Sequence, residues 1–180
     1  MKKIITWTLA LVAIATTSNL YAQTKMVGGA AMYPTKNIVE NAVNSKDHTT
    51  LVAAVKAAGL VETLSSAGPF TVFAPTNKAF GKLPKGTVET LVKPENKATL
   101  TKILTYHVVA GKMSSADLLA KVKAGKTELT TVQGGKLWIK ADGSKLYLVD
   151  EKGGKSWITI ADVNQSNGVI HVVNTVLMLK

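Results

Sequence analysis

From Asn37 to Leu64 the apolar residues recur at helical spacing. Ile38, Val39, Ala42 and Val43 share one face, and Leu51, Val52, Val55 and Ala58 repeat the pattern behind Thr50, whose hydroxyl is placed to cap that second helix. Gly59 stops it, and Leu60, Val61 and Leu64 continue as a short helix into Ser65-Ser66-Ala67-Gly68. The period then changes. Phe70-Thr71-Val72-Phe73 is aromatic or β-branched and lies between Pro69 and Pro75, so it predicts a short buried strand that extends past neither proline. A turn follows, with Thr76 or Asn77 as helix cap and Ala79, Phe80 and Leu83 on a single helical turn before Pro84. Phe70, Phe73 and Phe80 are the largest apolar groups of this stretch, around which the rest of the chain is organised.

Beyond Pro84, Thr87 or Gly86 starts a brief helix through Leu91, and Pro94 opens a longer one carrying Leu100, Ile103 and Leu104. Tyr106-His107-Val108-Val109 is rich in strand formers, so the helix is predicted to stop near Thr105 and a strand to begin. On a strand, neighbouring side chains face opposite ways; His107 then points inward and Tyr106 is left as an exposed contact group. Ser114-Ser115-Ala116-Asp117 has the form of a capping box and starts a helix with Leu118, Leu119 and Val122 that ends before Gly125.

The last third reads as strands over 127–132, 136–141, 145–149, 157–160 and 169–179, separated by Gly134-Gly135, Asp142-Gly143, Gly153-Gly154 and Asn167-Gly168. Helices first and hairpins later predict an α+β domain: a small sheet or wedge-shaped β-sandwich with several short helices packed on one side.

Residues 1–22 stand apart. Lys2 and Lys3 precede an apolar stretch from Ile4 to Ala15 too short to span a bilayer, and Leu20-Tyr21-Ala22 offers a small residue at a cleavage point. This predicts a signal peptide cleaved after Ala22 and a secreted or periplasmic protein. No cysteine is present to carry a lipid or form a disulfide. Residues 23–36, with Gly28-Gly29, Pro34 and no periodicity, read as a flexible arm ahead of a domain over 37–180. No later segment approaches the roughly 18 apolar residues of a membrane helix.

All 22 basic residues are lysine, and loss of two with the leader lowers the net charge from +11 to about +9. Spread without a cluster, they predict solvated faces with diffuse attraction for anionic polysaccharide or headgroups. The absence of arginine, with its bidentate fork, argues against nucleic acid as partner.

Candidate chemistry is sparse. His48, His107 and His171 are far apart in sequence and none has a metal-binding spacing. His107 and His171 lie in apolar runs and read as buried imidazoles that satisfy backbone or hydroxyl groups; His48, between Asp47 and Thr49, reads as an exposed loop residue. The segment from Asp162 to Gly168 superficially resembles a calcium loop, but its glycine is one place late and Val173 stands where a bidentate glutamate belongs. There is no G-x-S-x-G elbow and no phosphate loop, and Asp150-Glu151 reads as an exposed hairpin end. Neither a cofactor, a metal nor an enzyme is expected.

Gly68-Pro69-Phe70-Thr71-Val72-Phe73-Ala74-Pro75-Thr76-Asn77-Lys78-Ala79-Phe80 resembles the first conserved box of the fasciclin domain, a module of extracellular adhesion and matrix proteins. Asn167 to Leu177 resembles the second, Tyr106-His107 a third between them, and Ala57-Ala58-Gly59-Leu60 precedes the first. The resemblance implies a fasciclin-like fold in which Phe70, Phe73, Pro75, Thr76, Phe80, Gly168 and His171 are structural. It also implies a non-catalytic adhesion or matrix-binding module that meets an extracellular or envelope protein or polysaccharide, with Tyr106, His107, Asp162 and Asn167 as contact candidates. The alternative is a periplasmic carrier of a small apolar ligand. Val173-Asn174 departs from the family's apolar-aspartate pair, and the chain ends at Leu179-Lys180 without the usual proline.

Overall fold

A computed structural model describes residues 24–180, so the leader expected over residues 1–22 lies outside the described residues. Order begins earlier than the pattern implied. Strands β1 (Lys25–Val27) and β2 (Ala30–Met32) form an antiparallel hairpin around Gly28-Gly29. Val27 and Met32 are buried in the core, and the Lys25 ammonium donates to the Ala161 carbonyl at 2.6 Å. In place of the flexible arm expected over 23–36, the described residues 25–32 form a docked ribbon. Three-residue strands are too short to show alternation, and each fully buries only one side chain.

The helices beginning at Ile38, Asn77 and Ser115 start where a side chain satisfies a free N–H group. Asn37 and Glu40 form a capping box on α1 (Ile38–Ala42), which leads to α2 (Thr49–Ala58) and α3 (Val61–Ser65). Gly59 ends α2 in the left-handed region at φ +73°, as expected. The cap of α2 differs from expectation: the Thr50 N–H donates to Asn77 Oδ1 at 3.0 Å, so a residue distant in sequence replaces the local hydroxyl. Strand β3 (Phe70–Pro75) runs into α4 (Asn77–Phe80), capped by Thr76. Then come α5 (Thr87–Leu91), a 3-10 turn at Pro94–Asn96 and α6 (Lys97–Tyr106).

After β4 (Val108–Ala110), Ser114 and Asp117 close the expected capping box on α7 (Ser115–Lys123). The meander follows as β5 (Glu128–Thr130), β6 (Lys136–Asp142), β7 (Lys145–Val149), β8 (Lys155–Gln165) and β9 (Gly168–Val173). Strand β8 is longer than expected because two register shifts let it bend while staying paired to β9. Strand β9 stops at Val173; Val176 and Leu177 beyond it are buried as irregular tail rather than strand.

The seven strands are ordered β4-β3-β9-β8-β7-β6-β5. All neighbours are antiparallel except β3 and β9, which run parallel from Phe70↔Gly168 to Pro75↔Val173. The sheet curls until its edges meet, with Val109 bridging Thr131 and the Val132 N–H donating to Val108 at 2.7 Å. This gives a wedge approaching a barrel, α+β as expected.

Two cores result, one on each face of the central strands. Val72, Ala74, Ile170 and Val172 face α1 to α6, whereas Phe73 and Val173 face a second core with Tyr106, Leu118, Leu137, Ile139 and Leu148. Helix α7 packs on β6 and lines this second core, so the helices are not all on one side. Phe80 belongs to the first core, and Phe70 is half-buried at its margin.

Phe73 is fully buried at the junction of the sheet with the second core. Phe73→Ala is expected to cost about 3–5 kcal/mol in chemical denaturation, a large fraction of the stability of a domain this size. Gly168→Ala should also destabilise, because a Cβ there would lie 2.1 Å from the Phe70 carbonyl oxygen. A denaturation midpoint equal to the parent's for either variant would contradict this packing.

Candidate functional site

The Tyr106-His107 pair is the first test of the contact candidates. Helix α6 continues through Tyr106, and His107 keeps φ −84°, ψ 0° as its C-cap, so the strand expected from Tyr106 onward begins only at Val108. Successive side chains are then about 100° apart rather than opposed. Both are buried, Tyr106 at 0% and His107 at 3% exposure, which overturns the expectation that one must be available. The pair lies between two cores, so neither direction leads to solvent.

Each polar atom of the pair has a partner. Tyr106 Oη donates to the Lys136 carbonyl at 2.7 Å and accepts from the Glu151 N–H at 3.1 Å. Burial pushes its pKa up to about 12. His107 Nδ1 donates to the Ile103 carbonyl at 2.8 Å, and Nε2 accepts from the Leu177 N–H at 2.9 Å, which holds the C-terminal tail. Burial pushes this imidazole down to about 4, and it is neutral at physiological pH.

His171 is buried as expected. Nε2 donates to the Met113 carbonyl at 2.8 Å, Nδ1 accepts from the Asp162 N–H at 3.3 Å, and the ring stacks on Phe73 at 5.7 Å. Burial lowers its pKa too. Asp162 sits at φ +57° in the bent part of β8 and accepts from the Ser115 N–H at 2.6 Å and from the Ser115 hydroxyl. Burial works to raise its pKa, but these hydrogen bonds outweigh it and leave the carboxylate below its ordinary range. Asn167 is a bracket: Oδ1 accepts from the Ile38 N–H at 3.0 Å, and Nδ2 donates to the Leu64 and Ser66 carbonyls at 2.8 Å.

Two further expectations are corrected. His48 is 3% exposed rather than in an open loop. Its Nδ1 meets the Ser45 hydroxyl at 2.9 Å, while Nε2 has no hydrogen-bond partner among the described residues. Burial lowers its pKa, and the nearby Ala74 carbonyl, short of good hydrogen-bond geometry, offsets part of the effect. Asp150 is buried, not an exposed hairpin end, and accepts from the N–H groups of Lys152, Gly154 and Met178.

Tertiary structure adds two features that sequence reasoning missed. A narrow apolar cavity of about 60 Å³ lies between the hairpin, α1, α2 and the helix-facing side of β3, with His48 and His107 in its wall. Its lining comes from scattered segments, so no local signal announces it. The second feature is the outward face of β6, β7 and β8, where Trp138, Tyr147 and Trp157 lie half-buried among exposed lysines. A signal existed: these strands place a lysine or an aromatic at alternate, outward positions.

The signature of the family described as Fasciclin domain matches residues 46–179. The chain belongs to the fasciclin domain family. It is 47% identical over 171 residues to Protein sll1483 of Synechocystis sp., covering 95% of this chain and 87% of that one. It is 36% identical over 142 residues to Immunogenic protein MPB70 of Mycobacterium bovis, covering 76% and 66%. A solved FAS1 domain pair from the insect cell adhesion molecule Fasciclin I superposes with a TM-score of 0.72 at 17% identity, over 79% of this chain and 51% of that one. That likeness establishes the shared fold.

For this fasciclin domain, two outcomes follow from the buried pair. Tyr106→Ala is expected to destabilise by about 3–5 kcal/mol, since it removes a fully buried ring. His107 has a folded pKa of about 4 against 6.5 in the unfolded chain, so the unfolded state takes up its proton first as pH falls. Its contribution is whole above about pH 6.5 and is lost toward pH 4, at up to about 1.4 kcal/mol per pH unit. The urea midpoint should fall clearly between about pH 7 and about pH 5; a flat profile would mean that His107 is not held neutral.

Proposed function

We propose that this domain is a non-catalytic binding module of the adhesion type, which meets an extracellular or envelope protein or polysaccharide after export behind the leader over residues 1–22. The observation that carries the reading is the division of labour among polar groups. Tyr106, His107, His171, Asp162 and Asn167 are each engaged by backbone or serine partners inside the fold, whereas nearly all the lysines stand exposed. Contact with a partner is thus left to the surface. Membership of the fasciclin family supports this, as does the shared fold of an insect cell adhesion molecule. Among the described residues no helix is long and apolar enough to cross a membrane.

The carrier alternative draws support from the apolar cavity, and the size of that cavity weighs against it. At about 60 Å³ it falls below the roughly 150 Å³ that admits benzene. It is further below the roughly 300–1,000 Å³ usual for ligand pockets.

The test is a binding isotherm of the exported form against its own envelope fraction. Saturable binding is expected, abolished by periodate if the partner is a glycan and by protease if it is a protein. Net charge near +9 should make it fade between low salt and about 0.5 M, where the screening length is about 4 Å. No saturable binding to either fraction would overturn the reading.

A further inference from the structure

We propose that the outward face of β5 to β8 is the docking surface and that an acidic polysaccharide is its occupant. The proposal rests on the binding-module reading and names its surface and partner class. Residues directly opposite each other on paired strands share a face of the sheet. The register sets Trp138 opposite Val149, Tyr147 opposite Trp157, and Lys140 opposite Tyr147, while Leu137, Ile139, Leu146 and Leu148 turn inward. Tyr147 and Trp157 are therefore direct cross-strand neighbours, and Trp138, two residues along β6 from Lys140, lies diagonal to Tyr147 on the same face. Tyr147 and Trp157 touch, with ring centroids 4.7 Å apart and planes at 40°.

Their neighbours on this face are charged and exposed. Lys136, Lys140, Lys145 and Lys155 outnumber Glu128 and Asp142. Of these lysines, Lys136 alone is paired among the described residues, to Glu128 at 2.9 Å, and the Lys155 ammonium lies 5.7 Å from the centre of the Tyr147 ring. Large rings lying partly in water beside unpaired cations are costly for a face with no task.

The chemistry of this face selects among partners. Flat aromatic faces take the C–H face of a pyranose, and ammonium groups beside them take a carboxylate or sulfate on the same sugar. Two strand spacings of about 4.8 Å and the two-residue offset of Trp138 spread the three rings over about 12 Å, the reach of about two to three sugar units. Lysine is depleted from protein interfaces, which disfavours a protein. Contact between Tyr147 and Trp157 closes the slot that a nucleic-acid base would enter between them, and no arginine is present to read phosphate bidentately.

Of the chain's three tryptophans, Trp138 and Trp157 are on this face and Trp7 lies in the expected leader, so tryptophan emission of the exported protein reports on the face directly. The experiment titrates that protein with alginate, neutral dextran, oligothymidylate and anionic phospholipid vesicles. Alginate is expected to shift the emission and to bind several-fold more weakly when salt rises from about 0.05 to about 0.2 M. Trp157→Ala should lose about tenfold in affinity. The exposed double variant Lys140→Gln/Lys145→Gln should lose about fivefold and show a flatter salt dependence, without altering a buried atom. Lys93→Gln/Lys102→Gln, the same loss of charge away from this face, should change affinity by less than about twofold.

Equal losses from the two lysine pairs, or dextran, oligonucleotide or vesicles bound as tightly as alginate, would overturn the proposal. Envelope binding that survives while alginate leaves the emission unchanged would overturn this proposal and spare the binding-module reading. Failure to bind any envelope fraction would overturn both.

Discussion

Everything in the fold hangs on the parallel contact between Phe70–Pro75 and Gly168–Val173. Nearly a hundred residues lie between the two strands, so their pairing closes a long loop whose entropy must be recovered by burial. Burial on both faces supplies it: Val72 and Ala74 pack under the helices, and Phe73 and Val173 pack into the second core. Gly168 allows the approach, since the Phe70 backbone occupies the place of a side chain. The two cores share this pair of strands as a wall, so neither can loosen without the other.

Irregular segments that flank the pair are pinned by buried polar side chains rather than by ladders. Asn167 joins the start of α1 to the end of α3, His107 holds the tail, and His171 and Asp162 hold the approach to α7. Tyr106 does the same for the starts of β6 and of the β7–β8 turn. Removing any of them leaves a backbone donor or acceptor unpaired in a dry place, a penalty of about 1–3 kcal/mol each. The residues that carry the family resemblance are thus mostly structural, and the binding surface proposed above is one that the family boxes do not mark.

That surface is a by-product of the same topology. A sheet with one face given to a core and, among the described residues, no helix over the outer face of its hairpins leaves every second residue of β6 and β7 exposed or half-buried. Lysines there keep the face soluble and discourage edge-to-edge association. Trp138, Tyr147 and Trp157 stand among them at spacings set by the strands.

Local signals were legible where one stretch contains both the cause and the effect. Thr76 capping α4, Gly59 ending α2, the Ser114–Asp117 box, and the hairpin strands of alternating burial needed only neighbours in sequence. The α+β class followed from them, and the family from the resemblance carried by residues 68–80, Tyr106-His107 and residues 167–177. The ribbon of β1 and β2, the Asn77 cap on α2, the inward turn of both Tyr106 and His107, and the burial of His48 and Asp150 were not legible. In each case a partner far along the chain decides between two locally acceptable outcomes. Tyr106 shows the reason: strand propensity at Tyr106-His107-Val108 is a weak local preference. One more turn of helix places a tyrosine hydroxyl against Lys136 and Glu151 and a ring among leucines, an energy that only the assembled second core can provide.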